Sequence, residues 1–197
     1  DMIEEWVSAQ DILPMEVSDE RGQLLETGGG VLNAKPYLEG CGQFLIHNVD
    51  IISDLDIRWM ASQTRRDAMA TLLVSDRVTS RYLLFDPDTM RLKGWTNVVT
   101  GEVRSPYPDL DVTQCRRLAF SGIHIMSDTV FAALEDFVSR QGLDPEHPRF
   151  PIMDFYLSAC ALYEIYGVEA DGLHLVDVGK LDTLEIAEKE ISRVSQN

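Results

Sequence analysis

The sequence is poor in cysteine. Its three residues, Cys41, Cys115 and Cys160, are far apart and odd in number. No Cys-x-x-Cys pair occurs, which argues against a thiolate zinc site and against a disulfide framework, so a reducing, cytoplasmic setting is expected. Long apolar runs are missing as well. None reaches the roughly 18 to 20 residues of a membrane-spanning helix, and the opening residues do not read as a secretory signal. Basic charge is scarce: 17 Lys and Arg stand against 33 Asp and Glu, a net charge of −16. Such a surface repels phosphate backbones and anionic lipid, which disfavours nucleic acid and membranes as partners. A small anionic substrate would need a locally screened pocket, most simply one with a divalent cation. The four histidines, His47, His124, His147 and His174, lack metal-ligand spacing.

What is present is an ordinary globular composition, 45% hydrophobic and 25% charged, which excludes disorder of the whole chain. At 197 residues a single domain buries roughly 70% of its unfolded surface and needs no covalent staple. One domain over residues 1–197 is therefore expected. The chain opens on Asp1-Met2-Ile3-Glu4-Glu5-Trp6-Val7, which reads as the middle of an amphipathic helix, so the true N-terminus is expected upstream.

Strand-like and helix-like runs alternate. Helices are expected over residues 2–9, 31–38 (weakened by Pro36), 55–66, 129–140 and 153–163, and a last one from Asp182, with Glu185 completing a capping box. Ser127 or Asp128 is expected to cap the helix at 129–140. Strands are expected over 13–17, 43–49, 70–74, 82–85, 92–97, 118–126, 165–168 and 174–178. The alternation predicts an α/β, three-layer, Rossmann-like domain with a mixed, mostly parallel sheet and helices on both faces. The strands near residues 70–97 are too closely spaced for helical crossovers and predict an antiparallel excursion.

Ligands of open α/β sheets collect beyond the carboxyl ends of the strands. Three features fall there. Asp50 follows the apolar strand at 43–49, and Asp177 ends Val176-Asp177 before Val178-Gly179. Carboxylates so placed can hold a hard cation; each can equally be an Asx turn or a helix cap. The third is Glu26-Thr27-Gly28-Gly29-Gly30 before a short helix. Its glycine amides would be free to meet an anion or a base at a helix N-terminus, while the plainer alternative is a surface turn. No Lys-Ser/Thr follows, so it is not a P-loop, and it lacks the dinucleotide fingerprint.

In this order these residues resemble a family. Glu26-Thr27-Gly28-Gly29-Gly30, Leu45-Ile46-His47-Asn48-Val49-Asp50, Phe120-Ser121-Gly122-Ile123 and Val176-Asp177-Val178-Gly179 resemble the sugar-1-phosphate nucleotidyltransferases. The likeness is to short forms acting on mannose-, N-acetylmuramate- or glucose-type sugar phosphates. The resemblance implies a nucleotide-diphospho-sugar transferase-like fold. It implies Mg²⁺ held by Asp50 and Asp177, a nucleobase and ribose pocket lined by Glu26, Thr27, Gly28 and Gly29, and a sugar pocket that includes Asn48, Asn97, Ser121 and Gly122. The substrates implied are a nucleoside triphosphate and a sugar-1-phosphate, joined with release of pyrophosphate, and the candidate assembly is a homodimer. The family opens with a strand and a Gly-rich loop carrying Arg and Lys. Nothing like that loop precedes Glu26, so it is expected to be missing from this sequence and residues 1–197 are expected to turn over little alone. Lys180 and His47 stand where the family more often has a small polar and an apolar residue. Two other readings stand beside this one: a non-catalytic nucleotide-sugar-binding module of the same fold, and a plain interaction domain whose motifs are structural.

Overall fold

The computed structural model describes residues 2–179, so Lys180 and the helix expected from Asp182 lie outside the described residues. In chain order the helices are α1 (Met2–Ser8), α2 (Glu26–Asn33), α3 (Lys35–Leu38), α4 (Ile57–Gln63), α5 (Val130–Gln141) and α6 (Ile152–Ala159). The strands are β1 (Gln43–His47), β2 (Ile51–Ser53), β3 (Ala70–Ser75), β4 (Arg81–Phe85), β5 (Leu92–Asn97), β6 (Glu102–Arg104), β7 (Arg116–Ser127), β8 (Ile165–Glu169) and β9 (Leu175–Asp177). The strand expected over 13–17 is irregular chain, and β2 and β6 were not foreseen. Both are three-residue segments, too short to display a period. All three cysteines are free thiols, and no described helix is long and apolar enough to cross a membrane.

The chain divides into two compact units: one combines the chain up to Gly42 with Asp128–Phe155, the other combines Gln43–Ser127 with the chain from Tyr156 on. In the first unit, α2 ends at Asn33 and α3 restarts with Pro36 in its first turn, where the missing proline N–H is no loss. Helix α5 carries the apolar stripe Val130, Phe131, Leu134, Phe137 and Val138 and stops at Gly142, whose φ of 63° gives the left-handed cap. The N-cap of α5 is Thr129 rather than the expected Ser127 or Asp128, and its side chain makes no capping bond; the Asp128 carboxylate accepts from the Gly42 amide at 3.0 Å. Phe137 packs against Phe150 and Phe155, with ring centroids 5.0 and 5.8 Å apart.

The second unit is built on a seven-stranded sheet in which the twelve-residue β7 is the hub. β1 and β3 lie at opposite edges of β7, since Ile125 pairs with both Leu45 and Thr71. β4 pairs with the first residues of β7, β5 with β4, β6 with β5, and β8 with β3. The sheet is mixed and the class α/β, as expected. Its balance is not mostly parallel among the described strands: β3–β8 is parallel, whereas every other pairing is antiparallel. For two of these pairings the reason is loop length. Only tight turns join β4 to β5 and β5 to β6, and these permit hairpins alone. Asp86 fixes the first turn, accepting from the Thr89 amide at 2.9 Å.

Helices cover both faces of this sheet. Met60 of α4 joins Leu73, Ile123 and Ile125 in a buried cluster, with Trp59 packed beside it. On the opposite face of β7, His124 is 2% exposed and its Nδ1 meets the hydroxyl of Tyr156 on α6. Asp56 caps α4 by accepting from Arg58 and Trp59 amides at 2.8 and 3.2 Å.

Candidate functional site

The site expectation rests first on Asp50 and Asp177, and tertiary structure brings them together. β2 and β9 form a separate two-stranded antiparallel ribbon in which Ile51 lies opposite Asp177. The ribbon is extended by the Val178 amide, which donates to the Asp50 carbonyl at 2.8 Å. Asp50 therefore stands one residue before β2 and Asp177 at the end of β9, at the same end of the ribbon. Gly179 marks the meeting point. A Cβ placed on it would lie 2.7 Å from Asp50 Oδ2 and 3.2 Å from Asp177 Oδ1. The two carboxylates thus cradle one small space, and only a residue without a side chain leaves it clear. The Gly179 amide also donates to Asp177 Oδ1 at 3.0 Å, so Asp177 makes an Asx-type turn and faces the cradle at once.

The second wall comes from β7. Two residues of β3, Leu72 and Val74, pair with His124 and Phe120 across a register shift, so β7 carries extra residues at Ser121–Ile123. Gly122 accommodates this bulge with a φ of 75°, a conformation that side-chain-bearing residues rarely take. Its carbonyl accepts from the Asn48 amide at 3.0 Å. Its Cα faces Asn48 so closely that a Cβ would meet Asn48 Nδ2 at 3.0 Å. The end of β1 is thereby pinned to the bulge.

Asn48, Asp50, Ser121, Gly122 and Asp177 all line one open cavity of about 410 Å³. Five expected residues, drawn from three stretches of sequence, are therefore neighbours. The same cavity is lined by Arg77, which sequence reasoning missed. Arg77 sits in the exposed stretch after β3, and its Nη2 donates to the Phe120 carbonyl at 3.1 Å. The signal that could have found it is the one that found Asp50: a charged residue just past an apolar strand. His47 is exposed and its Nδ1 donates to the Asn48 carbonyl at 2.8 Å.

Asn97 does not line this cavity. Its Oδ1 accepts from the Val99 and Thr100 amides at 3.0 and 3.3 Å and so turns the β5–β6 hairpin.

Glu26, Thr27, Gly28 and Gly29 belong to the first unit, and their setting differs from the expected open loop. They form the first turn of α2. The Gly28 and Gly29 amides are not free: both donate to the Phe150 carbonyl, at 2.9 and 3.3 Å. A Cβ on Gly28 would meet the Phe150 ring at 2.3 Å, and one on Gly29 would meet the Pro148 carbonyl at 1.9 Å. The glycines are there because another backbone runs against the helix. Glu26, with φ 63°, pairs with Arg149 Nε at 3.0 Å, and Thr27 Oγ1 accepts from the Ile152 amide at 2.9 Å.

The donor set fits a magnesium ion. Mg²⁺ keeps several waters and is bound through one or two carboxylates plus substrate phosphates. Asp50 and Asp177 around the space beside Gly179 supply that number, and no group of three or more His, Cys, Asp or Glu suited to a metal exists among the described residues.

No protein-family model and no curated protein matches the sequence. Solved structures do match. The inositol-1-phosphate CTP transferase from T. maritima aligns with a TM-score of 0.60 at 12% identity, covering 88% of this chain and 64% of that one. An apo UDP-glucose pyrophosphorylase aligns with a TM-score of 0.61 at 14% identity, covering 87% and 61%. A protein described as the mannose-1-phosphate geranyltransferase from Thermus thermophilus aligns with a TM-score of 0.53 at 15% identity, covering 83% and 55%. The chain is similar to these in fold and spans less than two thirds of the length of each.

Proposed function

We propose that the Asp50–Asp177 cavity is part of a nucleotidyl-transfer site, in which a sugar-1-phosphate oxygen attacks the α-phosphorus of a nucleoside triphosphate and pyrophosphate leaves. The observation that carries this reading is the convergence of two carboxylates on one cleared space beside Gly179, next to the polar wall of Asn48, Ser121 and Gly122. The fold shared with the inositol-1-phosphate CTP transferase and the UDP-glucose pyrophosphorylase supports it.

Phosphoryl-type transfer needs positioning and charge neutralisation more than proton transfer. Asp50 and Asp177 would hold Mg²⁺, which when bound supplies neutralisation between two anionic reactants. Asn48 offers an amide donor and acceptor, Ser121 a hydroxyl, and Gly122 close backbone approach, the groups that orient sugar hydroxyls. In the first unit, residues 26–29 would line the nucleobase and ribose. Because Gly28 and Gly29 are buried and their amides are committed to Phe150, recognition there would use the exposed Glu26 and Thr27 side chains.

The test is metal binding followed with Mn²⁺ as a paramagnetic probe. Asp50→Asn and Asp177→Asn should each weaken Mn²⁺ binding at least about tenfold, since each removes one of few charged ligands. In an assay of pyrophosphate release on a form of the protein that turns over, both should abolish the reaction. Unchanged Mn²⁺ affinity in both variants would refute the assignment.

A further inference from the structure

We infer that Arg77 is the contact for the phosphate group of a sugar phosphate bound in this cavity, a step that rests on the reading proposed above. Arg77 is the only cationic side chain lining the cavity among the described residues. Its Nη2 is anchored on the Phe120 carbonyl at 3.1 Å, which ties the guanidinium to the strand that also places Ser121 and Gly122 in the wall. That bond uses one of the five N–H donors of the planar fork.

Its place in this cavity is what singles it out. Arg21, Arg91, Arg116, Arg140 and Arg149 each meet a carboxylate, and Arg65, held like Arg77 by a main-chain carbonyl, does not line it. Arg77 makes no ion pair among the described residues, although two carboxylates line the same cavity and the chain carries 33 acidic residues. A guanidinium held by a neutral carbonyl keeps its full charge for a ligand. A phosphate is the counter-ion that matches its fork, through two parallel N–H···O bonds. The neighbouring polar groups, the Asn48 amide and the Ser121 hydroxyl, are neutral and suit hydroxyls. One ligand satisfies both walls when it carries a phosphate and several hydroxyls together. The carboxylates of the same cavity take a cation, and Arg77 takes the anion that a cation alone would leave half-neutralised.

The experiment measures binding to the full chain in Mg²⁺ by calorimetry. The probes are glucose-1-phosphate and mannose-1-phosphate, with glucose, inorganic phosphate and UDP beside them. Arg77→Gln should weaken the better-bound sugar phosphate at least about tenfold, the scale of a lost charged hydrogen bond. Arg77→Lys, which keeps the charge and loses the fork, should fall between. Affinity for glucose should stay as it was, and affinity for UDP should change less than that for the sugar phosphate. Circular dichroism of both variants checks that the chain still folds. If Arg77→Gln binds sugar phosphate like the wild type while Asp50→Asn and Asp177→Asn still lose Mn²⁺, the role of Arg77 is overturned and the metal reading stands. Loss confined to UDP would move the contact to the nucleotide and overturn it too. Absence of sugar-phosphate binding by the wild type would overturn it, and if Mn²⁺ binding is also insensitive to both aspartates, the metal reading fails with it.

Discussion

Gly179 shows how much one absent side chain can decide. A methyl group there would occupy the space that Asp50 Oδ2 and Asp177 Oδ1 share, so a residue with no functional group sets the spacing of the two that have one. His124 is the opposite case, a functional group removed from use. Burial drives its pKa from 6.5 down to about 3, because a charged imidazole cannot be solvated beside Tyr156. Burial also pushes the Tyr156 hydroxyl well up, so the pair is neutral across the physiological range. The folded-state pKa is depressed, so the unfolded chain takes up a proton that the folded chain refuses. The stability that His124 contributes is complete above about pH 6.5 and is lost progressively as pH falls toward about 3. His124→Gln, which cannot titrate, should lose less stability than the wild type over that interval in urea unfolding. Parallel pH profiles for the two proteins would sink this account. Both aspartates were noticeable in the sequence as carboxylates after apolar strands, but that pattern fits a turn or a cap equally well, and only the family resemblance implied that they act as a pair. Arg77 obeyed the same rule and was missed, since its partner is a carbonyl on β7, far along the chain.

Helix α2 is where local and tertiary arguments point in opposite directions. Intrinsic propensity makes Gly29→Ala favourable by about 1 kcal/mol in a helix. The Pro148 carbonyl, 1.9 Å from where that Cβ would sit, makes it unfavourable, because backbone cannot give way as a flexible side chain can. Overpacking of this kind destabilises by about 1–3 kcal/mol, so a net loss of stability is expected by chemical denaturation. A gain would mean that the approach of Pro148 and Phe150 to α2 is not what the glycines serve. The glycine triplet invited the reading of an anion-binding turn, since free amides and close approach share one composition. Only the position of Phe150 separates the two uses. The bulge in β7 makes the same point. Phe120-Ser121-Gly122-Ile123 reads as plain strand, and its kink is visible only against the register of β3.

The charge of −16 belongs to the whole molecule. It predicts no mobility shift of duplex DNA even at low ionic strength, where counterion release favours binding most; a salt-sensitive shift would require a basic surface that the composition denies. Within the second unit the same acidity is organised, with two carboxylates and one guanidinium lining a single cavity. The sequence by itself determined the α/β class, the positions of most strands, the strand-end carboxylates and the exclusion of a disulfide framework, because hydrophobic period, residue type and charge are local quantities. The tertiary structure decided the rest. It made the sheet largely antiparallel around β7, joined Asp50 to Asp177 through a two-stranded ribbon, placed Arg77 in the same cavity, set Asn97 to turning a hairpin, and committed the Gly28 and Gly29 amides to Phe150. Each of these depends on which distant segment arrives as neighbour, and that is fixed by packing and register rather than by any property of the residues alone.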